Sequence, residues 1–333
     1  MVMLPEFLFD IVLGKPAWMW ALFLGVVLAV LVLDLGVLNK DQKEIGVAES
    51  LKLSSFYFAL AVAFGGWVWW TMGSPSAIEY FTGFMIEWSL SLDNIFAISM
   101  IFTYFAVPRR HQHRVLFWGI LGVIVMRGAM IALGAALVSQ FSWVLYIFGA
   151  FLLVTGLKML WMADREENVG DNPVLGFLRK RLRVTDRLHG ERFWVRQADP
   201  ADGKLVWFAT PLFLCLVLVE AVDLIFAIDS VPAIFAITQD PFIVYTSNIF
   251  AILGLRALYF ALAAMIHRFK YLKYALALVL VFIGMKIFLV NIIGKFPPAL
   301  SLGVTFGLIA GGIAYSLWRT GSPPRAATPG ARQ

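Results

Sequence analysis

The chain has 333 residues, of which 61% are hydrophobic and 14% are charged, and its mean hydropathy is +0.82. This composition is typical of a polytopic helical membrane protein and excludes a soluble enzyme. The formal net charge of +6 does not indicate nucleic-acid binding, because the surplus Lys and Arg lie in short connections between apolar segments. A single cysteine, Cys215, excludes an intramolecular disulfide and a thiolate metal cluster.

The apolar runs predict an all-α fold with nine transmembrane helices. The predicted spans are residues 17–38, 55–72, 78–105, 115–138, 142–162, 211–237, 243–265, 271–293 and 298–318. We expect these regions in chain order: two N-terminal helices (1–76), a three-helix unit (77–162), a cytoplasmic loop (163–206), a second three-helix unit (207–294), a final helix (295–318) and a disordered tail (319–333).

Basic residues concentrate in alternate connections. The 163–206 loop holds nine Lys and Arg, and further basic groups lie at 109–114, at 267–273 and after residue 318. The intervening connections at 73–77, 139–141 and 238–242 contain no Lys or Arg, and 294–297 contains only Lys295. The positive-inside rule therefore predicts an inner-membrane protein with its N-terminus outside and its C-terminus in the cytoplasm.

The 163–206 loop is the one sizeable soluble segment that the sequence predicts. Two apolar stretches, 193–196 and 205–208, flank a Pro/Gly turn and predict a small β-hairpin. Thr210 is then positioned as an N-cap, with Pro211 as the first residue of the next helix. The basic run at 179–183 predicts an anchor at anionic lipid, and a protein partner could dock on this loop.

An internal repeat relates the third, fourth and fifth spans to the sixth, seventh and eighth. The segment DNIFAIS at 93–99 matches DLIFAID at 223–229, an offset of 223 − 93 = 130. The pairs Arg127/Arg256 and Lys158/Lys286 recur at offsets of 129 and 128. A unit of three helices is odd in number, so its two copies must be inverted, as in secondary transporters whose sites lie between the repeats.

Ionisable residues inside the spans are costly and therefore point to function or to ion pairs. The embedded acids are Asp34, Glu87, Asp93, Glu220, Asp223 and Asp229, and the embedded bases are Arg127, Lys158, Arg256 and Lys286. Six acids against four bases leave two negative charges, which one divalent cation would balance. We expect Arg127 and Arg256 to pair with carboxylates, whereas the two Lys residues lie near span ends, where they could reach the interface.

The predicted metal ligands are oxygen donors. They are Glu87, Asp93, Asn94, Glu220, Asp223 and Asp229, with Asp34 and the four bases as charge partners. The amide of Asn248 and the hydroxyl of Ser230 extend this set, which suits Mg²⁺, Ca²⁺ or Mn²⁺. Pro232 is expected either to kink the sixth span beside Asp229 or to end it early.

Four segments resemble the TerC family, and most closely its Alx branch: EWSLSLDN at 87–94, HRVLFWGI at 113–120, EAVDLIFAIDSVPAIFAIT at 220–238 and DPFIVYTSNIFAILGLRALYF at 240–260. The resemblance implies a nine-helix membrane fold and Mn²⁺ efflux. It also implies that the acids matching the family pattern are important, namely Glu87, Asp93, Glu220, Asp223 and Asp229. The name of the family comes from tellurite resistance, so a resemblance to the family does not settle the substrate.

Three functions remain open on the sequence. The leading hypothesis is Mn²⁺ export by alternating access, with Mn²⁺ as substrate, no resident cofactor and protons as the candidate coupling ion. The second is a non-transporting partner that serves tellurite resistance or loads metal onto exported proteins through the 163–206 loop. The third is an exporter of anions or amino acids that binds them with Arg127 and Arg256, which the excess of acids disfavours.

Overall fold

A computed structural model of the chain describes residues 9–33, 46–141, 143–161, 169–198, 203–263, 271–293 and 297–320. Within these ranges the side chains of residues 91–93, 96, 171, 290–293, 298 and 299 are not described. The helices are α1 (Ala17–Leu33), α2 (Val47–Met72), α3 (Ser74–Tyr104), α4 (Arg109–Gln140), α5 (Val144–Trp161), α6 (Pro173–Arg181), α7 (Pro211–Phe235), α8 (Pro241–Ala263), α9 (Leu272–Ile293) and α10 (Pro298–Thr320). The strands β1 (Ile11–Val12) and β2 (Lys15–Pro16) form one antiparallel pair, and β3 (Trp194–Ala198) and β4 (Leu205–Ala209) form another.

Each predicted span overlaps one of the longer helices in the described ranges, with several boundaries shifted. Helix α2 begins eight residues before the predicted span and α4 begins six residues before it. Within the described part of the chain, seven helices are long and apolar enough to cross a membrane: α2, α4, α5, α7, α8, α9 and α10. Helix α1 has only 17 described residues, and α3 carries several carboxylates and serines that lower its hydropathy. The protein is therefore a mostly helical, polytopic membrane protein.

The two three-helix units, α3–α5 and α7–α9, pack mainly against each other. Helix α5 lies along α9, α3 packs against both α7 and α8, and α4 likewise packs against both α7 and α8. Helix α8 is buried along almost its whole length by α2, α3 and α4. The units interdigitate, and the residues between α3, α4, α7 and α8 are shielded from lipid.

Glycines create the closest contact between the units. A Cβ on Gly156 of α5 would lie 2.8 Å from the carbonyl oxygen of Ala277 in α9, and one on Gly284 of α9 would lie 2.8 Å from the carbonyl oxygen of Gly149 in α5. Equivalent positions in the two contacts are 128 residues apart, since 156 + 128 = 284 and 149 + 128 = 277. The same kind of contact is therefore made twice with the roles of the two helices exchanged. The order of the contacts shows that α5 and α9 cross antiparallel.

The outer faces of the bundle are apolar and exposed. Residues more than half exposed include Trp69 and Trp70 on α2, Val125 and Leu133 on α4, and Val154 on α5. Large apolar side chains at this exposure suit a hydrocarbon environment, because soluble monomers rarely present such continuous apolar surface. This arrangement fits a bundle surrounded by lipid.

The polar segment between α5 and α7 packs onto the helical bundle. The hairpin β3–β4 pairs in register from Trp194↔Ala209 to Ala198↔Leu205, at the position expected from the sequence. Glu191 accepts a hydrogen bond from Arg114 at 3.2 Å, which ties this segment to the first turns of α4. Thr210 and Pro211 take the expected N-cap and first-residue positions of α7, but the hydroxyl of Thr210 donates to the carbonyl of Arg192 at 2.7 Å and makes no capping hydrogen bond.

Helix α7 continues through Pro232 and ends three residues later at Phe235. Its predicted extension to residue 237 is therefore wrong by two residues. The predicted end of the first span (34–38), including Asp34, and the tail from residue 321 lie outside the described residues. The short helix α6 and the strand pair β1–β2 were not predicted.

Candidate ion-binding site

A cluster of six polar side chains is buried where α3, α4, α7 and α8 meet. We call it the Arg127 cluster, and its members are Glu87, Asn94, Arg127, Asp223, Ser230 and Asn248. All six are at most 8% exposed. With both carboxylates ionised, the cluster carries two negative charges and one positive charge.

The guanidinium of Arg127 lies at the centre of the cluster. Its Nε and Nη2 donate to the two carboxylate oxygens of Asp223, each at 3.3 Å. Its Nη1 donates to Glu87 Oε1 at 2.5 Å, to Asn248 Oδ1 at 2.8 Å and to Ser230 Oγ at 3.2 Å. One planar cation on α4 therefore binds oxygens from three other helices, a geometry for which arginine is better suited than lysine.

Two asparagines complete the hydrogen bonding of the carboxylates. Asn248 donates to Glu87 Oε2 at 2.9 Å, and Asn94 donates to Asp223 Oδ1 at 3.2 Å. Asn94 Oδ1 is buried without a hydrogen-bond partner among the described residues. A buried carbonyl oxygen left in this way is costly, so Asn94 offers an acceptor for a further ligand.

Two cavities adjoin the cluster on different sides. One, of about 60 Å³, lies between α3, α4, α7 and α8 and is lined by Asn94, Asp223, Arg256 and Tyr259 together with apolar residues. The other, of about 30 Å³, lies between α3, α5, α7 and α9 and is lined by Glu87, Asn94, Asp229 and Ser230 together with apolar residues. Asn94 lines both cavities, so the cluster forms a polar partition between them.

Glu220 is separate from the cluster. Its carboxylate faces α4, where an added Cβ on Gly122 would overlap it and one on Gly119 would lie 3.5 Å from its Oε1. Among the described residues, its Oε2 is buried without a hydrogen-bond partner. The absence of side chains at these two glycines makes the room that the carboxylate fills.

Asp229 faces a third direction. It interacts with Thr155 and Lys158 of α5, and it lines the smaller cavity with Glu87. The three carboxylates of α7 are therefore distributed along the helix and do not share one coordination shell. Close contact of Glu220, Asp223 and Asp229 around a single ion does not occur in this structure.

The remaining predicted bases lie outside the cluster. Arg256 donates to the carbonyl of His113 at 3.3 Å and lies over the ring of Phe117 at 5.2 Å. Lys286 is only 9% exposed and donates to Ser301 of α10 at 3.2 Å, so it does not reach the interface. Lys158 is exposed.

The structure therefore brings together Glu87, Asn94 and Asp223 from the predicted ligand set, with Arg127 as their counter-ion. The side chain of Asp93 and all of Asp34 lie outside the described residues. Asn248 and Ser230 entered the prediction only as further oxygens, and their place beside Arg127 follows from helix packing. The pair Gly119 and Gly122 was missed, although two small residues three apart on a membrane helix indicate a close approach.

The donor set tests whether a metal ion fits. Carboxylate, amide and hydroxyl oxygens suit a hard divalent ion such as Mn²⁺. Within the described part of the chain, no three His, Cys, Asp or Glu side chains lie close enough to hold a metal ion by themselves. Binding at Glu87 and Asp223 would therefore need amide or hydroxyl oxygens as well, and the ion would compete with Arg127.

These features define a polytopic membrane protein with a buried polar cluster between two packed helical units. The chain belongs to the TerC family: the model described as "Integral membrane protein TerC family" matches residues 72–323. A Rickettsia bellii protein named "Uncharacterized membrane protein" is 48% identical over 300 residues, covering 90% of this chain and 97% of its own. An Escherichia coli (strain K12) protein named "Putative membrane-bound redox modulator Alx" is 45% identical over 314 residues, covering 92% and 95%. No solved structure matches the chain.

Proposed function

We propose that this protein exports Mn²⁺ from the cytoplasm by alternating access through the Arg127 cluster. The observation that carries the proposal is the convergence of Glu87 and Asp223 with Asn94, Asn248 and Ser230 at the junction of the two helical units. Burying two carboxylates in a membrane bundle with a single arginine between them costs free energy, and a purely structural core does not need such an arrangement. Their oxygens match the preference of Mn²⁺.

The inverted repeat is part of this proposal. The equivalent helices α5 and α9 cross antiparallel with reciprocal glycine contacts, which supports two units related by an axis in the membrane plane. The hydrogen bonds Tyr245 to Ile124 and Arg256 to His113 give α4 and α8 the same antiparallel order. The cluster lies at the junction of these units, where inverted-repeat transporters place their sites.

The larger cavity supports access to the cluster from one side of the membrane. With the N-terminus outside, the larger cavity lies in the cytoplasmic half of α3, α4, α7 and α8. Asn94 and Asp223 form its inner end, so a cation from the cytoplasm would meet their oxygens first. Exchange of protons for Mn²⁺ on the carboxylates would couple export to the proton gradient.

Mn²⁺ flux into proteoliposomes tests the function directly. Wild type is compared with Asp223→Asn, Glu87→Gln and the matched control Glu79→Gln, which lies on the same helix as Glu87 outside the cluster. We expect flux in wild type and in the control, and loss of flux in the two cluster variants that elute as folded protein. No Mn²⁺ flux in wild type under any imposed pH gradient would rule the exporter out.

The alternative is a non-transporting membrane partner in tellurite resistance or metal loading. The basic residues of α6, at its C-terminal end, and the exposed Trp207 of β4 give the cytoplasmic segment a surface for docking. Deleting the hairpin would then abolish function, whereas cluster variants would retain it. Export of anions is disfavoured, because four protein groups already accept hydrogen bonds from Arg127.

A further inference from the structure

We propose that Arg127 is a tethered competitor of the transported cation, and that Glu220 is the carboxylate that receives it when the cation binds. The inference rests on the proposed function, since it concerns how the same site is emptied and refilled. It assigns Glu220 a role other than metal ligand.

The first step is that guanidinium and metal ion need the same oxygens. Arg127 binds both oxygens of Asp223, one oxygen of Glu87 and the oxygens of Asn248 and Ser230. A divalent ion bound by these groups would lie a few ångströms from the guanidinium, where two cations repel strongly at low dielectric. The two occupants therefore exclude each other.

The second step is that a displaced guanidinium needs an acceptor inside the bundle. Gly122, against which Glu220 packs, lies five residues before Arg127 on α4, which is about 7.5 Å along the helix axis. Gly122 is about 140° from Arg127 around α4, so the two do not share a face. The approach is possible because helical side chains lean towards the N-terminus and because Glu220 lies one turn before Asp223, the present partner of Arg127, on α7. Glu220 Oε2 is buried and has no hydrogen-bond partner among the residues described, so it offers that acceptor.

The third step is the cycle that these positions allow. In the resting arrangement Arg127 neutralises one of the two negative charges that Glu87 and Asp223 carry together. An incoming Mn²⁺ displaces Arg127 towards Glu220. When the cation leaves on the other side, Arg127 returns and fills the oxygens. A built-in competitor lowers affinity and speeds release, because the site never has to expose two unpaired carboxylates.

Mn²⁺ binding to purified protein tests the exchange, with free Mn²⁺ measured by its electron paramagnetic resonance signal. The proteins are wild type, Arg127→Gln, Glu220→Gln, the double variant, and the control Arg114→Gln, which removes a positive charge from the cytoplasmic end of α4. We expect Arg127→Gln to bind Mn²⁺ about tenfold tighter or more but to transport it more slowly, and Arg114→Gln to match wild type. An unchanged or weaker affinity in folded Arg127→Gln would overturn the inference.

The double variant decides the role of Glu220. If Glu220 receives Arg127, Glu220→Gln alone weakens Mn²⁺ binding, and Arg127→Gln/Glu220→Gln binds as tightly as Arg127→Gln. If Glu220 is a metal ligand, the double variant stays weaker than Arg127→Gln, which would contradict the receiving role. The result depends on equilibrium binding and needs no measurement of flux.

The unfolding temperature provides a second measurement of Mn²⁺ binding. Should Arg127→Gln be unstable, its unfolding temperature is measured with and without Mn²⁺, and we expect a larger Mn²⁺-induced rise than in wild type. Arg127→Lys keeps the charge but not the forked geometry and should bind Mn²⁺ with intermediate affinity. Equal Mn²⁺-induced shifts in wild type and both variants would count against competition.

The two proposals can fail independently. Tight binding by Arg127→Gln without any wild-type flux would remove the exporter and keep the competition. Wild-type Mn²⁺ flux with no gain in affinity on removing Arg127 would keep the exporter and remove the competition.

Discussion

Arg127 on α4 and Asp223 on α7 face each other through two parallel contacts of 3.3 Å, from Nε to Oδ2 and from Nη2 to Oδ1. Arg127 is 1% exposed and Asp223 is 8% exposed, so solvent screens this pair little. The pair joins one helix of each three-helix unit. Its energetics differ from those of an ion pair at the bundle surface.

Asp223→Asn should lower the free energy of unfolding by about 3–5 kcal/mol, because it leaves Arg127 with one buried carboxylate instead of two. Asp240→Asn is the matched control: Asp240 pairs with Lys15 at 2.9 Å, but both side chains are more than one-fifth exposed. This change should cost about 0–1 kcal/mol. Thermal unfolding in detergent measures both, and equal losses would contradict the assigned burial.

Gly156→Ala should disrupt the contact between α5 and α9. Its new methyl group would approach the Ala277 carbonyl oxygen and the backbone nitrogen of Val281, which cannot move as a side-chain end can. We expect destabilisation by about 1–3 kcal/mol, as for other overpacked contacts. Gly66→Ala on α2 meets nothing within 4 Å and should be neutral or stabilising. A lower unfolding temperature for Gly66→Ala than for Gly156→Ala would contradict the close contact between α5 and α9.

Cys215 allows a direct test of whether a thiol carries the function. It is the one cysteine of the chain and is 0% exposed. A buried structural thiol is inert, so Cys215 should resist a maleimide reagent in the native protein and react after denaturation. Cys215→Ala should retain the activity of wild type. Loss of activity in the folded variant would instead implicate the thiol.

Membrane orientation can be read with reporter fusions. The loop charges predict that a fluorescent protein fused after Gln333 is active, because green fluorescent protein folds in the cytoplasm. Alkaline phosphatase fused within residues 139–141 should be active, because the predicted orientation puts that connection outside. Each reporter follows the last residue of a chain that ends at the fusion point, so it lies on one side of the membrane only. Exchanged activities would place the larger cavity in the outer half of the bundle instead of the cytoplasmic half.

The sequence was most informative where composition alone determines structure. Apolar runs long enough to span a bilayer located the helices, and the recurrence of Arg127 as Arg256 is one of the sequence matches behind the proposed repeat. Helix ends were less certain: polar residues at 47–54 obscured the start of α2, because Ser50 and Ser54 are buried against carbonyls of α8. Tertiary contacts that satisfy polar side chains leave no hydropathy signal.

The cluster contains Glu87, Asn94 and Asp223 of the predicted ligand set, whereas Glu220 and Asp229 lie outside it. Glu220 and Asp223 lie three residues apart and so were expected to share one face. The structure gives them different partners, because Gly119 and Gly122 open a place on α4 for Glu220 while Arg127 binds Asp223. Which helix a carboxylate faces depends on the packing partner and is absent from the spacing along its own helix.

The paired glycine contacts of α5 and α9 have a mechanical consequence. Two backbones that touch without intervening side chains can rotate against each other about the point of contact, but they cannot be pulled apart without losing that contact. In the proposed alternating-access cycle, this duplicated contact would be the point about which the two units rotate against each other. The helices far from the α5–α9 contact would then move most. The contact itself would keep its geometry in every step of the proposed cycle.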